Sequence, residues 1–218
     1  SDCAMPDSPE NNFATLNPLV IGTSNLTLAD GNLIANATSS GSGSNWGTAF
    51  STISLPSTGK YYIEGRAFIN AGIGNSSHLG ILDSAFFIPS HSNITYSYAT
   101  GEGFDGVFIS LYNNTAQPVS DGSLGTSVTG LTATTVNVML AIDIDNGEVW
   151  SGYNGTWLNS GDPAGGSGSI ATRNFTTTDV IAVGIAWNGT HDQGMMVNFG
   201  QDSTFAGAIS AGGNADGN

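Results

Sequence analysis

Val136, Val138, Leu140, Ile142 and Ile144 place an apolar side chain at every second position of one unbroken run, with Asn137, Met139, Ala141, Asp143 and Asp145 between them. A period of two sends these two sets to opposite faces of a β-strand, whereas a helix would scatter both around its circumference. The same alternation sets Tyr62, Glu64, Arg66 and Phe68 against Ile63, Gly65, Ala67 and Ile69. Between such runs stand Asn146-Gly147, Asn154-Gly155, Asn188-Gly189, Asp30-Gly31, Asp105-Gly106 and Asp121-Gly122. These pairs accept the positive φ values of tight hairpin turns. Two hairpins are predicted: Thr135–Asp145 turning at Asn146-Gly147 into Glu148–Tyr153, and Val180–Trp187 turning into His191–Phe199. Strong helix formers are scarce, with one Lys and four Glu in 218 residues. Many strands with dense turns predict an all-β sandwich or barrel.

Charge removes whole classes of function. Asp, Glu, Lys and Arg make up 9% of the chain, against about 25% in ordinary domains, and the balance is 17 acidic to 3 basic residues, net −14. Three cations (Lys60, Arg66 and Arg173) do not neutralise a phosphate backbone, so nucleic-acid binding is excluded. Direct docking to anionic lipid falls with it. Cys3 is the only cysteine, so no intrachain disulfide forms. No apolar run reaches the length of a membrane-spanning helix. Ser1–Asn17 reads as an extended arm and residues 18–205 as the folded domain. Residues 206–218, rich in Gly and Ala, read as a flexible tail or linker, and Asn159–Ser169 as a long surface loop.

Two segments together resemble the SPRY domain family. Ala141-Ile-Asp-Ile-Asp-Asn-Gly-Glu-Val-Trp150, followed by Tyr153-Asn-Gly-Thr-Trp157, is similar to the family's central hairpin. Gly59-Lys-Tyr-Tyr-Ile-Glu64 is similar to one of its strands. Asn198-Phe-Gly-Gln201 and the stretch from Asp7 to Pro18 resemble bacteriophage virion proteins that carry this domain. The resemblance spans roughly Phe13 to Phe205, while the loops between Ile69 and Thr135 match no family pattern. It implies a lectin-like jelly-roll sandwich of two antiparallel sheets and a binding role without catalysis. It also implies a place on a tail fibre, tail tip or capsid surface, assembled in the host cytoplasm.

The candidate chemistry is sparse. A two-residue turn at Asn146-Gly147 would set Asp145 opposite Glu148 and Asp143 opposite Trp150, so that Asp143, Asp145 and Glu148 share a face. Like charges so placed repel. The group reads either as a solvated hairpin tip or as a Ca2+ site. A glycosidase on the same fold would need two carboxyls about 5 to 5.5 Å apart, but here the third acid lies beyond a turn. His78, His91 and His191 stand alone in sequence and read as surface or loop residues rather than zinc ligands. Glu64 and Arg66 share a strand face, and with so few cations Arg66 is expected to be paired. Trp150 and Phe199 read as core. Tyr96, Tyr98, Phe104, Tyr112, Trp157 and Trp187 lie in loops or beside turns, where aromatics stack on sugars or anchor a protein contact.

The expectation is therefore a non-catalytic virion protein whose loops contact a host receptor or a neighbouring virion protein, as a homo-oligomer in an assembly. A free carbohydrate-binding lectin is the alternative, and a glycosidase the third reading. At net −14, an uncharged glycan or a protein is the favoured contact.

Overall fold

The structure, a computed structural model, describes residues 13–21, 26–37, 45–69, 77–84, 106–112, 114–121, 123–131, 135–187, 193–202 and 204. Apart from single 3-10 turns, its regular elements are strands, in two antiparallel sheets. The first sheet runs in the order β1 (Leu16–Ile21), β4 (Asn45–Ser54), β15 (Asp179–Trp187), β6 (Ser77–Asp83), β7 (Gly106–Tyr112), β8 (Thr115–Ser120) and β10 (Val128–Thr129), with β9 (Ser123–Leu124) also on β8. The second runs β13 (Thr156–Trp157), β12 (Glu148–Tyr153), β11 (Thr135–Asp143), β5 (Lys60–Ile69), β16 (Gln193–Asn198), β3 (Ile34–Ala37) and β2 (Leu26–Ala29), with β14 (Ala171–Thr172) on β12. This is the expected jelly-roll sandwich.

Its core is where the alternation puts it. Val136, Val138, Leu140, Ile142 and Ile144 are buried, with Ile63 and Ala67 of β5, against Leu79, Ile81, Ile109, Val183 and Ile185 of the opposite sheet. The two segments that carry the family resemblance pair with each other, β5 on β11, with Lys60 opposite Asp143 and Tyr62 opposite Ala141. The outer face of the first sheet is buried too. Antiparallel partners share a face, so the register aligns Phe50, Ala182, Gly80, Phe108 and Val119 in one row across five strands. Phe50, Ala182, Phe108 and Val119 belong to a second apolar cluster, completed by Leu82 and Val180. The Phe108 ring crosses Gly80 so closely that a Cβ there would meet it at 2.3 Å.

Four expectations are corrected. The hairpin at Asn146-Gly147 has a four-residue loop, because Asp143 pairs with Glu148 and Ala141 with Trp150. Burial of Ile144 pulls the chain inward, its N–H donating to the Gly59 carbonyl, and a turn closes from Gly147 N to Ile144 O. β15 and β16 do not form a hairpin. They lie in different sheets. The folded unit begins inside the supposed arm: Leu16 is fully buried in β1 and its N–H donates to the Asn32 carbonyl. His78 is a core residue, 1% exposed, because β6 is central and buried on both faces. Residues 159–169 form the expected surface loop. They fold over β12 and cover Trp150, whose Nε1 donates to the Ser167 carbonyl at 2.7 Å. Asn154-Gly155 likewise makes the two-residue turn its sequence predicts, with φ of 46° and 80° between the paired Tyr153 and Thr156.

Candidate binding site

The acidic hairpin is structural in its bonding. Asp143 is 3% exposed, and its Oδ2 lies 2.9 Å from Lys60 Nζ. The same carboxylate accepts from Asn146 N and Nδ2 at 3.1 and 2.8 Å. Asp145 Oδ1 accepts from Gly59 N at 3.1 Å, and Glu148 Oε1 from Ser169 Oγ at 3.4 Å. The tip is tied down further by Arg173 N, which donates to the Gly147 carbonyl; a Cβ on Gly147 would stand 2.5 Å from the Arg173 carbonyl oxygen. Among the described residues no three His, Cys, Asp or Glu side chains group as metal ligands. The three acids do not fit a Ca2+ site: Asp143 already holds the Lys60 ammonium, and Asp145 and Glu148 turn to other partners.

These bonds set the acid response. The Asn146 side chain first, and Lys60 second, hold the Asp143 carboxyl down at about 2. Burial holds the His78 imidazole at about 3. Both folded values lie below the unfolded ones, so each group's contribution is complete above its unfolded pKa and is lost as pH falls. His78 acts across the range from 6.5 down to about 3, and Asp143 from 3.8 down to about 2. Urea midpoints measured against pH should fall below 6.5 in the parent. His78→Gln should flatten the upper part of that fall, and Asp143→Asn the part below about pH 4.

Of the expected aromatic residues, Tyr112, Trp157 and Trp187 are described. Tyr96, Tyr98 and Phe104 lie outside the described residues, as do His91 and His191. Trp187 is the last residue of β15, as its strand reading placed it. Trp157, in β13 at the edge of the second sheet, meets Tyr62 edge-on with ring centroids 6.3 Å apart. The Tyr62 hydroxyl donates to the Glu64 carboxylate, and burial first and that carboxylate second push it above its ordinary range. Arg66 donates to Asn137 Oδ1 at 3.2 Å across β5 and β11. Tyr112 ends β7 on the other sheet and is half exposed. Tyr112 and Trp157 therefore belong to different sheets and form no common patch.

Tyr112 instead joins residues that sequence reading passed over. Register places Thr48, Gly184, His78, Ser110 and Gln117 in a second row across the first sheet, beside the apolar one. Thr48 is fully buried and its Oγ1 has no hydrogen-bond partner. At the β8 end, Ser110, Tyr112, Thr115, Gln117 and Ser127 line a cavity of about 250 Å³. Two cross-strand pairs build it: Ser110 opposite Gln117 and Tyr112 opposite Thr115. Gln117 Nε2 donates to the Gly125 carbonyl at 2.8 Å, which leaves its Oε1 as an acceptor. The available signal was the Asn113-Asn114 pair between two short alternating runs.

No protein-family model and no curated protein matches the chain. Among solved structures it is similar to the SPRY domain of human HERC1, with 12% identity and a TM-score of 0.56 over 86% of this chain and 99% of that one. It is also similar to a Lotus tetragonolobus seed lectin, with 8% identity and a TM-score of 0.53 over 89% and 95% of the two chains. The exoplasmic/lumenal domain of VIP36, in a Ca2+/Man3GlcNAc-bound form, gives 11% identity and a TM-score of 0.51 over 86% and 88%. At these identities the likeness establishes the sandwich fold.

Proposed function

We propose that this chain is a non-catalytic recognition module of a bacteriophage particle, carried on a tail fibre, tail tip or capsid surface, where it contacts a host receptor or a neighbouring virion protein. The observation that carries the absence of catalysis is the Lys60–Asp143 pair. A glycosidase on this fold would draw its acids from Asp143, Asp145 and Glu148. A general acid needs a raised pKa, and Asp143 is held at about 2. Binding is supported by the fold neighbours, a SPRY domain and lectins. The virion setting, the homo-oligomeric assembly and the protein partners rest on the resemblance of residues 7–18 and 198–201 to virion proteins.

The cavity on the first sheet, uncharged in its described lining, favours a second reading, a free lectin-like carbohydrate-binding protein. Neither reading places a metal on Asp143, Asp145 or Glu148, so EDTA should leave binding unchanged. Immobilised chain should retain its target and release it with unaltered mass. A target recovered in cleaved form, with cleavage abolished by Asp143→Asn or Asp145→Asn, would replace recognition with hydrolysis.

A further inference from the structure

The cavity on the outer face of β7 and β8 is a built polar site, and the geometry points to its ligand class: an uncharged sugar ring. The inference rests on the recognition reading above and names its ligand and place. Among the described residues its lining is a ring of hydroxyls and one amide, with no carboxylate to hold a cation and no basic group to hold an anion. In a chain of net charge −14, an acidic ligand would also be repelled. A sugar hydroxyl donates and accepts at once, and hydroxyl and amide side chains answer both demands.

The hydroxyls of Ser110 and Tyr112 make no hydrogen bond to another described residue, and Gln117 Oε1 is left to accept because its Nε2 is engaged by Gly125. The exposed ring of Tyr112, 53% accessible, supplies the apolar face against which the C–H side of a sugar packs. Size agrees: pockets for drug-sized ligands run from about 300 Å³ upward, and this one, near 250 Å³, suits a single ring with the rest of the glycan in solvent.

The position is rigid. Ser110 and Tyr112 are two residues apart on β7, Thr115 and Gln117 two apart on β8, and both strands are hydrogen-bonded on each side. Side chains fixed by a sheet ladder lose little freedom on binding, so a shallow site of this kind can discriminate between sugars.

The test is an array of immobilised glycans ending in neutral hexoses or N-acetylhexosamines, with sialylated and sulfated glycans beside them, probed with the whole chain. The expected result is binding to a subset of the neutral glycans, insensitive to EDTA. Tyr112→Ala and Gln117→Ala should each weaken it roughly tenfold or more, and Tyr112→Phe by less, at unchanged thermal midpoints. Tyr62→Ala, on the other sheet, should change nothing. Two outcomes overturn the inference: no neutral glycan bound by folded chain, or binding that survives Tyr112→Ala and Gln117→Ala. If the chain retains a virion protein while binding no glycan, this inference falls and the recognition reading stands. If it binds through Tyr112 and cleaves what it binds, the recognition reading falls and the site stands.

Discussion

Arg173→Met should destabilise the fold by about 3–5 kcal/mol, the cost of leaving one charge of a buried pair without its partner. Asp179 is fully buried and bonded to the Arg173 guanidinium, which also lies over the Phe175 ring at 5.8 Å. The pair sits where the chain passes from β14 in the second sheet to β15 in the first, so it closes one end of the sandwich. Met keeps the length of the stem and removes the charge. Asp179 retains the Thr176 N–H at 2.7 Å, which is too little to hold a buried carboxylate alone. Adding Asp179→Asn should recover a substantial part of the loss, because it removes the stranded charge and keeps the acceptor. Urea unfolding of both single variants and the double variant measures this. Additive losses in the cycle would show that the two side chains do not act as a pair.

Trp150→Ala should cost a similar amount, about 3–5 kcal/mol, and do so in a recognisable way. The indole is 2% exposed and lies outside the main core, between β12 and the loop that folds over it. Its removal opens a hole under residues 158–170 and takes one of two donors from the Ser167 carbonyl, which keeps the Asp162 N–H at 2.8 Å. The loop should become the first site of proteolysis while the two sheets hold together. Trp150→Phe should retain most of the packing and lose chiefly the hydrogen bond, worth about 0.5–1.5 kcal/mol because the Ser167 carbonyl keeps the Asp162 N–H. Unchanged protease resistance in Trp150→Ala would mean that the loop is held by its own turns.

The parts of this fold that could be read from sequence were those where one residue pattern has one structural meaning. The alternation from Val136 to Ile144 identified a core strand, and Asn154-Gly155 a two-residue turn. Asn146-Gly147 misled because Ile144 is drawn into the core and Asp145 toward Gly59, so both leave the ladder; turn chemistry alone does not register such tertiary pulls. The β15–β16 hairpin misled because a turn between two amphipathic strands does not say whether they join edge to edge or face to face across a sandwich. His78 was misplaced because an isolated histidine carries no sign of the strand it occupies, and β6 is buried on both faces. The candidate site was hidden for a related reason. Its side chains are Ser, Thr, Gln and Tyr, ordinary residues that gain meaning only when register sets Ser110 beside Gln117. Pro118 within β8 disguised the strand that supplies half of them.

The virion assignment is open to one direct measurement, the protein content of particles purified through a density gradient and read by mass spectrometry. Recognition as part of a particle predicts peptides from this chain in several copies per particle, retained through high-salt washing. A chain absent from every particle fraction and recovered only as soluble protein would contradict that placement.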